Sequence, residues 1–551
     1  MQYLLTGRQM KAVDLYNIEE IGIPSLALME RAALETAREA ERLCPEGGRV
    51  LAVCGTGNNG ADGLAAVRML FLHGRRAEAL ILGNAARATR ENRIQQEILK
   101  KLGIPVYTAD NFPEYPIEGR RGTGKDPEEP YSLILDALFG IGLSRPPEGD
   151  AAEAVCRINR AGERGIPVVS VDIPSGISAE TGQILGTAVR ADVTVTFGYE
   201  KLGTILYPGT RYAGRRIVAD IGFAQPPDMG EAVRGFRPGE RGNLPGRPQD
   251  GNKGTFGRVF LAAGSAGMSG AAYLSAKAAG ISGAGLVQIH TERENVPILQ
   301  TLLPEAVITV SDGGKGAGQA EENGEACSHE EAGGRGLLRR AAVLVAGPGL
   351  SVKPSAGRLL RELLKERKAL GIPCVLDADA LNILARERDL FDHLEERTIL
   401  TPHMGEMARL TGRSVGELKA DPVGAAREFH KKYGVVCVLK DARTVVASGK
   451  GIYVNLSGND GMATGGAGDV LSGILGGLLA GGMEPEEAAE TGVYLHGLAG
   501  DAAAERLGRR SMMAGDILDA AVGIFRDWER HILQETGEEA YGTVQPHGGV
   551  C

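Results

Sequence analysis

Short continuous apolar runs, separated by amphipathic stretches, recur along the whole chain. In the first half RVLAVC, EALILG, SLILDALFG, PVVSVDI and DVTVTFG have the length and content of buried strands, while GLAAVRMLFLHG and EAVCRINRAGERG read as crossover helices. In the second half RVFLAAG, GLVQIHT, AVLVAGPG, PCVLDADAL, TILTPH and VVCVLKD repeat the pattern. Strands that are apolar on both faces and alternate with helices belong to parallel sheets covered on both sides. Each half is therefore predicted to be a doubly wound, three-layer α/β domain. Right-handed crossovers bring the strand C-terminal ends, and the Gly-rich loops after them, to one edge where such folds bind ligands.

The chain of 551 residues is too long for one ordinary core. A Pro/Gly/Arg-rich stretch without periodicity marks a linker at 224–245, between domains predicted at 1–223 and 246–532. The polar, Gly- or Glu-rich segments 119–130 and 311–336 read as disordered insertions, and 533–551 as a disordered tail.

Composition narrows the function. The chain carries 61 basic and 70 acidic residues without a basic stripe, and aromatics are 5%, so no nucleic-acid partner is expected. The N-terminus lacks an apolar signal core and no run is long enough to span a bilayer, so a cytoplasmic protein without a membrane association is expected. The seven cysteines are scattered without metal-type spacing, and several lie in apolar strand-like runs, as buried thiols do. The 80 glycines are not periodic; they cluster after the apolar runs.

In the first half CGTGNNGADG follows a strand and opens a helix. Gly55, Gly57 and Gly60 satisfy a dinucleotide-loop pattern, but the next strand ends LILGNA, without the acidic residue that would hold a ribose. The loop instead offers Asn58, Asn59 and Asp62. Two further strands lead to Asp136 and Asp172, each followed by a Gly-rich loop. Oxygen donors of these types suit a hard cation.

Together GTGNNGADG, DALFGIGLSRP, DIPSGISAETG and VTVTFGYEKLG resemble the NAD(P)H-hydrate epimerase family, over residues from about 10 to 222. The resemblance implies that Asn58, Asn59, Gly60, Ala61 and Asp62 bind the hydrated nucleotide. It implies further substrate contacts at Gly140, Ile141, Gly142, Leu143, Ser144, Arg145, Pro146 and Asp172, and a potassium ion held by Asn59, Asp136 and Ser175. Inverting C6 of the hydrated ring requires its C–O bond to break and re-form, with a carboxylate moving the proton. Asp172 is expected to do this, with Asp62 as the alternative. Lys201 is expected to be a phosphate or structural partner. Ala61 stands where the family usually has Gly.

In the second half GNDGMATGGAGDVLSG reads as a Gly-rich loop opening a helix near Asp469, without the Lys of a P-loop. Backbone N–H groups at Gly465, Gly466 and Gly468 would form an anion hole, and Asp469 would stand beside a transferring phosphoryl group as a base. The constellation resembles the ribokinase-like fold. With NKGTFGRVFLAAGSAGMSGAAYLSAKAA, VLVAGPGL, LDADALN, LTPHMGEMARL, LKDARTVV and YLHGLAGD, it resembles the ADP/ATP-dependent NAD(P)H-hydrate dehydratases.

That resemblance implies a nucleotide site at Lys440, Asp441, Ala442, Arg443, Thr444, Gly465, Gly466 and Gly468. It also implies hydrate contacts at Ala272, Gly349, His403 and Asp469, with magnesium and ADP or ATP as partners of the reaction. Asp377 and Asp379 are placed on the substrate side or behind it. Asn252 and Asp441 depart from the family pattern. The expected substrates are NADHX and NADPHX, and a homo-oligomer is expected. The alternatives are a ribokinase-like small-molecule kinase fused to a nucleotide-binding domain, and a nucleotide sensor.

Overall fold

The computed structural model describes residues 1–112, 131–237, 239–310 and 336–536, with side chains to 531. The predicted insertions and tail therefore lie almost wholly outside the described residues, as do Cys327 and Cys551. The chain divides into two compact units, the first Tyr3–Val233 and the second made of Met1–Gln2 and the chain from Arg234 onward.

In the first unit seven parallel strands form one sheet. Their spatial order is Val106–Thr108, Arg76–Ile81, Arg49–Cys54, Leu133–Ala137, Val168–Val171, Val193–Phe197, Arg215–Ala219. The continuous apolar run of the strand Arg49–Cys54 has a simple cause. Val50, Ala52 and Cys54 face a core shared with helices Ser25–Leu43 and Asn58–Leu72, while Leu51 and Val53 face the core beneath helix Asp150–Glu163. Both faces are buried, so alternation disappears. A separate short strand, Gln2–Leu5, runs parallel to Glu200–Lys201, with Leu4 opposite Glu200 and Leu5 opposite Lys201.

In the second unit the parallel order is Val307–Val310, Leu286–Thr291, Arg258–Ala262, Val343–Ala346, Cys374–Leu376, Thr398–Leu400, Val436–Leu439. The sheet continues as an antiparallel meander through Val445–Ser448 and Gly451–Val454. Helix Ala467–Ala480 is almost wholly apolar beyond Ser472 because it is sandwiched between the sheet and helix Ser269–Ile281. A Cβ at Gly473 would stand 2.2 Å from the Ser275 carbonyl oxygen, and one at Gly476 would stand 2.6 Å from Val345 Cγ2. Its glycines thus serve close packing within the fold.

The predicted linker 224–245 is not wholly irregular. Val233–Gly235 is a strand, Arg234 pairs with Tyr453, and Phe236 stacks on Tyr494 with ring centroids 4.5 Å apart. The apolar positions of AVRGF were hidden by surrounding Pro and Gly. Among the described residues no helix is long and apolar enough to cross a membrane.

Candidate functional sites

In the first unit, the loop after Cys54 is compressed against its neighbours. A Cβ at Gly55 would lie 2.1 Å from the Leu138 carbonyl oxygen, and one at Gly60 would lie 1.9 Å from that of Gly55. Only glycine lets these loops touch. Helix Asn58–Leu72 then starts at the sheet edge, over a cavity of about 810 Å³. Asn58, Asn59, Asp62, Gly140, Ile141, Gly142, Leu143, Ser144, Arg145 and Asp172 all line it. Gly60 and Ala61 are buried behind the lining, and Pro146 is exposed outside it. Ala61 has ordinary helical geometry, so its methyl group is accommodated.

Asp172 stands one residue beyond its strand with φ +66°, a left-handed conformation rare for a non-glycine residue and frequent where function demands a fixed side chain. Its Oδ1 lies 2.6 Å from Lys201 Nζ and accepts from Thr196 Oγ1 and the Phe197 amide, both at 3.2 Å. Lys201 is 1% exposed and also donates to the Phe197 carbonyl oxygen at 2.8 Å. It is therefore the fixed partner of Asp172. Asp62 is pushed well above the usual carboxylate range by burial and by the nearby charges of Asp172 and Asp14, against the pull of Lys201.

Below the cavity Asp136 is wholly buried. It accepts from Ser170 Oγ (2.7 Å), the Ser175 amide (2.9 Å) and Ser175 Oγ (2.5 Å). These are neutral donors, and burial holds the carboxyl above its ordinary range. Ser175 Oγ in turn accepts from the Phe139 amide at 2.9 Å, and Asn59 Oδ1 lies 3.3 Å from the position a Gly140 Cβ would take. Asn59 Nδ2 is buried without a partner. A buried anion with neutral donors, beside an amide able to turn its oxygen, fits a monovalent cation.

In the second unit, the loops after Ala262 and Ala346 meet: the Gly264 amide donates to the Pro348 carbonyl oxygen, and the Ser265 amide to that of Gly349 at 2.6 Å. Gly349 has φ +59°, and a Cβ there would stand 2.8 Å from Met268 Cβ. Ala272 is wholly buried under Gly264. Helix Ala467–Ala480 opens after Gly466, whose φ is +92°, and places Asp469 in its first turn. Beneath the loop, Asp377 is 2% exposed. Its Oδ1 lies 2.7 Å from Lys440 Nζ and its Oδ2 accepts from Ser472 Oγ at 2.6 Å. Burial opposes ionisation of Asp377, but Lys440 and Ser472 outweigh it and hold the carboxyl below its ordinary range. Asp469 is pushed up to about 6 by burial and by Asp377, against Lys440. A Cβ at Gly468 would be 3.2 Å from Lys440 Nζ, which places the ammonium directly under the Gly-rich loop. Lys440, Asp441, Ala442, Arg443 and Thr444 form the turn between Val436–Leu439 and Val445–Ser448.

His403 is first a helix cap. Its Nδ1 accepts from the amides of Gly405 (2.9 Å) and Glu406 (3.4 Å), while Glu406 accepts from the His403 amide at 2.8 Å. Burial and the Lys440 charge lower its pKa, so the ring is neutral near pH 7. Lys440 bridges to His403 in the backbone, bringing the two motifs together.

Two family models match the chain. One described as YjeF-related protein N-terminus covers residues 25–203, and one described as NAD(P)H-hydrate dehydratase covers 259–522. The bifunctional NAD(P)H-hydrate repair enzyme of Moorella thermoacetica is 38% identical over 96% of this chain and 98% of its own length. The chain belongs to the bifunctional NAD(P)H-hydrate repair enzyme family. That of Thermofilum pendens is 37% identical, covering 93% of this chain and 94% of its own, and that of Escherichia coli 32%, covering 90% and 89%. A solved ADP/ATP-dependent NAD(P)H-hydrate dehydratase from Bacillus subtilis, co-crystallised with ATP and Mg2+, matches 52% of this chain and 94% of its own at 30% identity and a TM-score of 0.42. Relatives spanning both halves displace the alternative of a ribokinase-like small-molecule kinase fused to a nucleotide-binding domain.

The two remaining departures are now placed. Asn252 is exposed and its Oδ1 accepts from the Gly254 amide at 2.8 Å, a local turn. Asp441 is exposed and lies 3.8 Å from Lys419 Nζ. Sequence reasoning missed Asp14 and Lys11, which line the first cavity from helix Gly7–Leu15, and Glu406, 5% exposed and pushed up to about 7 by burial. The acidic residue of KAVDLY carried no motif around it. Glu406 was legible only as half of a capping box.

Proposed function

We propose that the first unit interconverts the R and S forms of hydrated NAD(P)H, and that the second uses ADP or ATP to dehydrate the S form. One observation carries the reading and recurs in both units. A buried carboxylate paired with a lysine, Asp172 with Lys201 and Asp377 with Lys440, stands just beyond the C-terminal end of a parallel strand, beside a glycine loop that opens a helix.

In the first unit Asn58, Asn59 and the loop carrying Gly140, Gly142 and Arg145 border the cavity that receives the nucleotide. Asp172, held by Lys201, takes or returns the proton of the C6 hydroxyl. Asn59, Asp136 and Ser175 would hold potassium; when bound it would neutralise the buried Asp136 and firm the loops around the substrate.

In the second unit the amides at Gly465, Gly466 and Gly468 receive the phosphate, with Lys440 beneath them. Magnesium would enter as a companion of the nucleotide phosphates. Asp469 removes the proton of the C6 hydroxyl as it attacks the terminal phosphorus, and the leaving group is AMP when ADP is used. The ring nitrogen lone pair then expels the phosphate, and loss of a proton from the adjacent carbon restores the double bond.

The test supplies hydrated NADPH with ADP or ATP and follows reduced-nicotinamide absorbance and free phosphate together. Their parallel rise is expected. Accumulation of a stable phosphorylated product instead would sink the reading.

A further inference from the structure

The first cavity holds more proton-handling groups than one carboxylate requires. Helix Gly7–Leu15 precedes the stretch covered by the first family model, yet its Lys11 and Asp14 line the same cavity as Asp62, Asp172 and Lys201. The helix is firmly placed. Thr6 and Gln9 cap it reciprocally, and Met10 and Val13 are buried on its inner side. A Cβ at Gly7 would stand 2.7 Å from the Ile141 carbonyl oxygen, and the Arg8 amide donates to Glu180 Oε1 at 3.0 Å. The strand just before it pairs with the strand carrying Lys201. Sheet pairing thus ties Asp14 to the Asp172–Lys201 pair across nearly two hundred residues of sequence.

We propose that Asp14 is a second catalytic acid–base group of the epimerase, acting with Asp172 on the two directions of the same reaction. The inference rests on the reading of this cavity as the epimerisation site. Inversion requires water to leave C6 from one face and return on the other, which one fixed carboxyl serves poorly and two serve well.

The steps balance. A protonated carboxyl gives its proton to the C6 hydroxyl, the C–O bond breaks with its electrons going to oxygen, and the ring nitrogen lone pair forms the C6–N double bond. Water then adds to C6 from the other face, and its proton passes to the second carboxylate. The proton has moved from one carboxyl to the other, and the reverse reaction returns it.

The electrostatics support this division. Lys201 lies on Asp172, whereas burial and the charge of Asp172 push Asp14 up to about 6, with Lys201 pulling the other way. Asp62 faces the same group of charges and is raised as well, burial being the largest cause. Asp14 therefore exchanges a proton close to working pH, the property an acid–base group needs.

The test uses the intact chain carrying Asp14→Asn, each pure epimer of hydrated NADPH, and water enriched in heavy oxygen. The variant is expected to lose inversion by about a hundredfold or more in kcat with little change in KM. It should still exchange the C6 oxygen of one epimer without inverting it, because Asp172 still serves that face. Asp14→Glu should restore inversion, together with the limb of the pH profile near 6 that Asp14→Asn removes. Inversion at the parental rate, or equal oxygen exchange from both epimers in Asp14→Asn, overturns the proposal. Failure of the parent chain to invert either epimer would overturn the reading of the cavity instead.

Discussion

Lys440→Met isolates the buried pair beneath the phosphate loop. Asp377 is 2% exposed, and its one cationic contact is Lys440 Nζ at 2.7 Å; Ser472 Oγ at 2.6 Å is neutral. Removing the ammonium leaves a buried carboxylate with neutral donors only, which costs about 3–5 kcal/mol in comparable sites. The Lys440 side chain is 20% exposed, so entering water offsets part of this and about 3 kcal/mol is expected. The sign with pH follows. In the parent the Asp377 pKa is depressed, so its contribution is present above the unfolded value and lost as pH falls through the folded one. In the variant burial, the largest influence, is opposed only by neutral hydroxyl donors, so the Asp377 pKa rises and the contribution of this group falls as pH rises. Trp528, the only tryptophan in the chain, is 3% exposed in the core of this unit and reports its unfolding by fluorescence in urea. The variant should be destabilised more at about pH 8 than at about pH 5. Lys440→Met/Asp377→Asn should recover most of the loss. A single variant within about 0.5 kcal/mol of the parent at the higher pH, or a double variant no better than the single, would refute the reasoning.

Gly60→Ala brings a methyl group to 1.9 Å from a backbone oxygen that cannot move aside; it should cost the first unit about 1–3 kcal/mol and depress epimerisation while S-form dehydration persists, measured on the same preparation. Dehydration should rise with pH through about 6 as Asp469 ionises, and a rate falling across that range would contradict its role as base. Replacing potassium with a bulky organic cation should slow epimerisation and spare dehydration, since Asp136, Ser175 and Asn59 belong to the first unit. Asp441→Gly should change the KM for ADP or ATP by no more than about twofold, because its charge is exposed and faces Lys419.

The central strands were legible because burial on both faces leaves uninterrupted apolar runs: RVLAVC is the strand Arg49–Cys54 and RVFLAAG the strand Arg258–Ala262. The edges were not. Arg215–Ala219 is buried only at Ala219, and Val307–Val310 is only partly covered, so neither shows the same run. The meander after Leu439 escaped notice because its turn was read as a ligand loop. At the sites, motif residues on glycine loops were visible, whereas Asp14 was not. Its place depends on the pairing of Leu5 with Lys201, a long-range contact no local pattern encodes. Asp377 was seen at a strand end, but its partnership with Lys440, 63 residues on, emerges only from the fold.

The division of labour between the units is tested most directly by Asp469→Asn in the intact chain, supplied with the R form of hydrated NADPH and ADP or ATP. Chromatography should show the R and S forms interconverting at the parental rate, with no return of reduced-nicotinamide absorbance. Return of that absorbance, or loss of interconversion along with it, would contradict the account.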